Sequence, residues 1–192
     1  MGGLDTWKST AALGCALLGL LVGRGHAAPW TEESRPDGLF QLSSSGQVSL
    51  DGLRSQAHLA LSCTRDALPS VHGTRALDLV VEGVDRLQRF HWDDLEGPQA
   101  NAGPLLSVRA VPGRAFRVRQ SGRYLGASTF AFGFFEPSSR ATGHLARLLD
   151  DVQAGAQFIE LTVTDPRDRH RRLVARFELD AQDARFEKLR CR

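Results

Sequence analysis

The N-terminal 27 residues constrain where, and therefore how, the rest of this chain can fold. Lys8 precedes an apolar run from Ala11 to Val22, and small residues stand at Gly25 and Ala27. This layout is typical of a secretory signal peptide, because the run is shorter than the roughly 20 apolar residues that span a bilayer. We therefore predict a cleaved leader over 1–27 and a mature chain that folds in a bacterial periplasm.

The cysteines agree with an oxidising compartment. Cys15 lies inside the leader; its lipidation would require a lipobox, and Ala12-Leu13-Gly14 is a poor one. Cleavage leaves Cys63 and Cys191, and an even pair in an exported protein predicts a disulfide. The alternative is two free thiols.

Length, composition and net charge limit the domain organisation and the possible partners of the rest of the chain. Residues 28–38 are polar with two prolines and are predicted to form a flexible lead-in, followed by a single β-rich periplasmic domain over 39–192. The formal net charge of +2 favours neither nucleic acid nor an anionic membrane as a partner. No segment after the leader is long and apolar enough for a transmembrane helix.

Short alternating segments predict strands. Leu59, Leu61 and Cys63 share one face of a strand over 58–63, and strands over 158–164 and 172–179 form a hairpin around the turn at 165–168. Further strands are predicted over these ranges: 40–42, 48–50, 76–81, 86–92, 105–111, 115–119 and 129–135. The first two flank a predicted turn at 43–46.

Two helices follow in the last third. Ser138 or Ser139 is a candidate cap for a helix that runs to about Ala154 and stops at Gly155. A short terminal helix begins at Asp180 or Asp183. Together the elements predict a mainly β fold with α (α+β): an antiparallel β-sandwich or curled sheet, one mid-C-terminal helix and a short terminal helix.

The sequence contains no recognisable catalytic, cofactor or metal motif. The histidines after the leader show no metal-ligand spacing, and G-x-S-x-G, G-x-G-x-x-G and Walker patterns do not occur; these histidines are His58, His72, His91, His144 and His170. We therefore expect no enzyme activity, cofactor or metal. Within His91-Trp92-Asp93-Asp94, alternation allows His91 to pair with Asp93, although a strand end leading into a polar loop explains the cluster better.

Two clusters are candidate partner surfaces. Phe130, Phe132 and Phe134 share one strand face, which is either buried in the core or exposed for a partner. Arg167, Arg169 and Arg171 crowd the predicted hairpin turn beside Asp165 and Asp168. They form either a solvated turn or a surface for an acidic partner.

Two stretches carry a family resemblance. The strand Leu59–Cys63 ends in cysteine, and the run Leu173–Leu179 precedes a short helix that ends at Cys191. With the helix before them, these resemble the periplasmic type VI secretion system-associated proteins (the TagO/VasI type). The chain departs from that family at Asp180 and Ala181, where the family usually has Gly. The invasion-associated locus B type has a similar ending but usually more cysteines.

The resemblance implies a non-enzymatic accessory or adaptor protein that assists a type VI secretion system and binds protein partners in the cell envelope. An alternative is a periplasmic inhibitor of a cell-wall hydrolase, similar to lysozyme inhibitors, with Ser121–Tyr124 as the inserted loop. A third reading is a hydrolase built around His91 and Asp93.

Overall fold

The computed structural model describes residues 29–64, 73–97, 103–138, 142–180 and 183–191. The predicted leader with Cys15 lies outside these residues, as do His72 and Ser139. Within them, no helix is both long and apolar enough to cross a membrane.

Most of the described chain is strand. The strands are β1 (Thr31–Ser34), β2 (Leu39–Leu50), β3 (Leu53–Thr64), β4 (Thr74–Glu82), β5 (Leu106–Val111), β6 (Phe116–Val118), β7 (Ser121–Gly126), β8 (Thr129–Pro137), β9 (Phe158–Thr164) and β10 (Arg172–Glu178). One α-helix, α1 (His144–Gln153), and the 3₁₀ helices Val84–Leu87, Asp93–Leu95 and Ala184–Arg190 complete the described elements. The predicted α+β class is confirmed.

The strands form one antiparallel sheet in the order β6-β5-β9-β10-β2-β3-β4-β8-β7, with β1 added on β2. The strands at the two ends of this order, β6 and β7, are joined by only Arg119 and Gln120. Three Cα steps reach at most about 11 Å, so the two ends of the sheet must lie close together. The sheet therefore curls. Of the two predicted architectures, a sandwich or a curled sheet, the structure has the curled sheet.

The concave face of the sheet holds the core. Strand residues alternate between this face and the outside, as predicted for β3, β9 and β10. Leu59, Leu161 and Phe177 are fully buried. Burying each such side chain contributes roughly 1.5–3 kcal/mol, so in these three strands the more apolar face turns inward.

Helix α1 closes one end of the curl. Its apolar side, which includes Leu145 and Leu149, is buried, and the helix contacts β4, β5 and the terminal 3₁₀ helix. Gly143, not a serine, occupies the N-cap position, so Ser138 is not the cap. Gly155, with φ of 97°, follows the last turn as predicted.

The N-terminal part of the domain differs from the prediction. A flexible lead-in is predicted over 28–38; in its described part, 29–38, Thr31–Ser34 pair with β2 and Trp30 is buried, so this part is not a flexible lead-in. The predicted turn at 43–46 is also wrong: β2 runs unbroken through it, and the chain reverses at Asp51 and Gly52. Gly46 is needed in the strand because its Cα faces the ring of Phe177.

The segment 84–97 is not a strand. The prediction of a strand over 86–92 is wrong, since two 3₁₀ helices and a loop occupy this region. Its buried side chains are Val84, Leu87, Phe90, Trp92 and Leu95. The step of three residues from Leu87 to Phe90 suits a helical turn. Val84 donates its N–H to the oxygen of Ser128 and His91 donates its N–H to Asp165, so the segment lies beside the start of β8 and the end of β9, at the end of the curl opposite α1.

The C-terminus returns to β3. Asp183 caps the terminal 3₁₀ helix, and Phe186 and Leu189 are buried, as predicted. This places the Cα atoms of Cys63 and Cys191 5.8 Å apart, within the range of a disulfide. The predicted pair is thus brought together.

Candidate functional site

An open cleft of about 380 Å³ lies at the end of the sheet opposite α1. The segment 84–97, the start of the β7–β8 connection and the β9–β10 turn form its walls. The polar and charged side chains that line it include Asp85, Gln88, His91, Asp93, Asp94, Tyr124 and Arg167.

Asp165 organises the β9–β10 turn from within. Its carboxylate is fully buried and accepts hydrogen bonds from the backbone N–H groups of Arg167 (2.8 Å), Asp168 (2.9 Å) and His91 (3.0 Å). Burial raises the pKa of this carboxyl, but the three N–H groups and the His91 ring outweigh it, so its pKa is lowered overall. Asp165 is therefore a buried anion that fixes the turn.

His91 is oriented by Asp165. Its ring Nδ1 lies 2.9 Å from Oδ1 of Asp165, and because a carboxylate only accepts, Nδ1 is the donor. The side chain is 36% exposed, and Nε2 has no hydrogen-bond partner among the described residues. In the neutral ring this leaves Nε2 as an acceptor, so His91 can bind a donor or accept a proton at the cleft.

The pair of His91 with Asp93, which strand alternation allows, does not form between these two described residues. Asp93 lies in the same cleft but accepts a hydrogen bond from the Tyr124 hydroxyl at 2.9 Å. Burial first, and then this bond, raise the pKa of Tyr124 to about 12, which keeps the hydroxyl protonated and donating. The pairing therefore ties β7 to the segment 84–97 and leaves Asp165 as the partner of His91.

Two of the three predicted surface arginines are engaged within the protein. Arg167 binds Asp94 through both Nε (2.5 Å) and Nη2 (2.7 Å). Arg171 donates to the backbone oxygen of Arg89 at 2.7 Å and pairs with Asp51 and Asp168. Arg169 is exposed and has no such partner among the described residues, so it is the member of the trio that remains available.

The phenylalanine surface is contradicted for two of its three members. Phe130 and Phe132 are fully buried, where they contact the ring of Trp92. Phe134 is partly buried and lies against the His144 ring. The outward side chain is the neighbouring Phe135, which is 69% exposed. Period-2 spacing grouped the three residues correctly but could not say which face looks inward.

The loop expected for a hydrolase inhibitor is not a loop. Residues Ser121–Tyr124 belong to β7, paired with β8 on one side. On the other side, Gly97 donates its N–H to the oxygen of Gly122 at 3.1 Å. This segment therefore has no free tip to insert into an enzyme.

The described residues contain no group of three or more side chains placed to hold a metal ion.

Compared with known proteins, the chain matches no family model, no curated protein and no solved structure. Fold and cleft define a class only: an α+β protein on one curled antiparallel sheet, with a helix at one end and a polar cleft at the other.

Proposed function

We propose that the protein is an exported, non-enzymatic accessory protein that binds a protein partner in the cell envelope through its cleft end. The leader pattern supports export to the periplasm. The Leu59–Cys63 strand and the C-terminal ending support an accessory role beside a type VI secretion system.

The observation that carries the proposal is the rigid β9–β10 turn. Asp165, Arg167 and Arg171 each bind the segment that faces the turn. A turn fixed in this way loses little conformational entropy when it docks, which favours affinity. The turn exposes Arg169 and His170, and the cleft that it borders contains His91. These side chains suit an acidic protein surface.

The cysteine geometry supports the location. Cys63 and Cys191, 5.8 Å apart at Cα, would be oxidised to a disulfide in the periplasm and would hold the C-terminus on β3. An oxidised pair is expected only if the chain is exported.

The test is co-purification from the native envelope. Tagged protein is expected to retain secretion-machine components, and Arg169→Glu to lose them because it reverses the charge of the presented turn. Arg147→Glu is the matched control, since Arg147 is exposed on α1 at the opposite end. Equal recovery by both variants would contradict docking through the cleft end; recovery of a cell-wall hydrolase alone would favour the inhibitor function instead.

The oriented His91 favours a second candidate, a hydrolase in which Nε2 removes a proton from an attacking water. Purified protein would then hydrolyse ester, amide or glycosidic probes, and His91→Gln would abolish turnover while leaving the fold intact. The absence of any turnover across these probes in the wild type would leave the accessory function.

A further inference from the structure

The outer face of the sheet carries a row of hydroxyl groups at a second hollow, which shares no lining residue with the cleft. Strand register places Ser107 of β5 beside Thr162 of β9, and Thr164 follows two residues later on the same face. The hollow above them measures about 220 Å³. Adjacent side chains on one face of a sheet are close enough to contact a single small ligand.

Arginines flank this row on both sides. Arg117 of β6 stands opposite Ser107, and Arg172 of β10 stands opposite Thr164. The two arginines are three strands apart and offset by two residues along the strands. At about 4.8 Å per strand and 3.4 Å per residue they start roughly 16 Å apart, so their long side chains can lean toward each other over the hydroxyls.

These two guanidinium groups are uncommitted. Arg117 and Arg172 are exposed and have no ion-pair partner in the described part of the chain. The third arginine of the hollow, Arg109, is already paired with Glu160 at 2.6 Å. The hollow thus presents two free positive charges above three hydroxyl donors.

We propose that this hollow is a binding site for one phosphate group. A guanidinium matches the oxygens of a phosphate in a two-point fork, and the hydroxyls supply further donors to the remaining oxygens. A carboxylate, with two oxygens, would leave part of this donor set unused. Two free cations on a chain of net charge +2 suit a single phosphate better than a polymer that requires many contacts.

The first experiment titrates inorganic phosphate into the protein at constant ionic strength and measures the dissociation constant by calorimetry. We expect saturable binding that weakens about tenfold in Arg117→Gln and in Arg172→Gln, since each loses a charged hydrogen-bond donor. Thr162→Val, which keeps the charge and the β-branched shape, should weaken binding severalfold.

Arg54→Gln is the matched control. Arg54 is exposed on β3, on the same face of the sheet, where Ser49 separates it from the β10 strand. Its replacement removes the same charge and should change affinity less than twofold. If Arg117→Gln and Arg54→Gln weaken binding equally, the attraction is general and the site does not exist.

The source of the phosphate is distinguished by a second arm, co-sedimentation with vesicles of phosphatidic acid in neutral lipid. Binding to free phosphate without vesicle binding identifies a soluble ligand, and vesicle binding that Arg172→Gln removes identifies a lipid headgroup. Failure of both arms would overturn the proposal.

Discussion

The carboxylate of Asp165 holds His91 at two points, the backbone N–H at 3.0 Å and the ring Nδ1 at 2.9 Å. The two residues are 74 positions apart in the chain. The contact joins the β9–β10 turn to the segment 84–97, so one buried anion fixes both walls of the cleft and the direction of the His91 ring.

Asp165→Asn should lower the free energy of unfolding by roughly 1.5–3 kcal/mol. The amide replaces one acceptor oxygen with a donor that faces backbone N–H groups. Urea denaturation measures the loss. Asp94→Asn is the control: its pair with Arg167 is exposed, and surface pairs contribute little. Equal losses in the two variants would show that the buried anion has no special role.

The contribution of Asp165 should also depend on pH. Its pKa in the folded protein lies below the ordinary value because its N–H donors favour the charged form. A carboxyl whose pKa is lower in the folded than in the unfolded protein stabilises the fold at any pH above its unfolded pKa of about 4. This stabilisation is lost as the pH falls through the lower pKa of the folded protein. The difference in unfolding free energy between wild type and Asp165→Asn should therefore be constant from pH 7 to 5 and shrink below pH 4. A difference that persists unchanged at pH 3 would contradict this origin.

Gly46→Ala should destabilise the protein by about 1–3 kcal/mol, the usual cost of overpacking. An added Cβ would lie 2.6 Å from the backbone oxygen of Arg176 and 2.8 Å from the Phe177 ring. Gly126→Ala is the matched control in β7, where an added Cβ meets nothing within 4 Å. Urea midpoints of the two variants compare them directly; a drop in Gly126→Ala as large as in Gly46→Ala would contradict the steric account.

Strands with one buried and one exposed face, and helix ends with a local cap, were predictable from sequence. Along β3, β9 and β10, buried residues alternate with more exposed ones over at least six positions, and Asp183 precedes the terminal helix as a cap. In these segments, burial on one face and propensity favour the same structure, so the local pattern suffices.

The remaining features depend on distant contacts. Trp30 sits in a polar stretch that predicts a loop, yet its Nε1 donates to the oxygen of Glu178 at 2.9 Å and its ring packs on Phe186. The Asp165–His91 pair likewise arises only when the hairpin folds onto segment 84–97. Local spacing suggested Asp93 for His91 because it carries no information about residues 74 positions away.

Replacing the buried Glu136 should lower the free energy of unfolding more than replacing an exposed glutamate. Its carboxylate is buried and accepts from the N–H groups of His144 (2.8 Å) and Leu145 (3.0 Å) at the start of α1, with Arg75 nearby. Glu136→Gln should cost about 2 kcal/mol and Glu136→Ala about 3–5 kcal/mol. Hydrogen exchange of the His144 and Leu145 amides should speed up in both.

Glu33→Gln is the comparison for Glu136, since Glu33 forms an exposed pair with Arg35. Its unfolding midpoint should match that of the wild type, because exposed pairs are screened by solvent. Unchanged amide exchange at the start of α1 in Glu136→Gln would contradict the capping role.

Oxidation of Cys63 and Cys191 should stabilise the fold by up to about 5 kcal/mol, because a cross-link across a sequence separation of 128 restricts the unfolded chain strongly. Cys191→Ser tests this with little disturbance, since Cys191 is only partly buried whereas Cys63 lies in the core. A phosphine reductant should lower the urea midpoint of the wild type to that of Cys191→Ser and leave the variant unchanged. Mass spectrometry without reductant should show both thiols of the wild type blocked within one monomer. Free thiols in protein isolated without reductant, or a midpoint insensitive to reductant, would show that the fold is held without the bond and that proximity alone places Cys191 on β3.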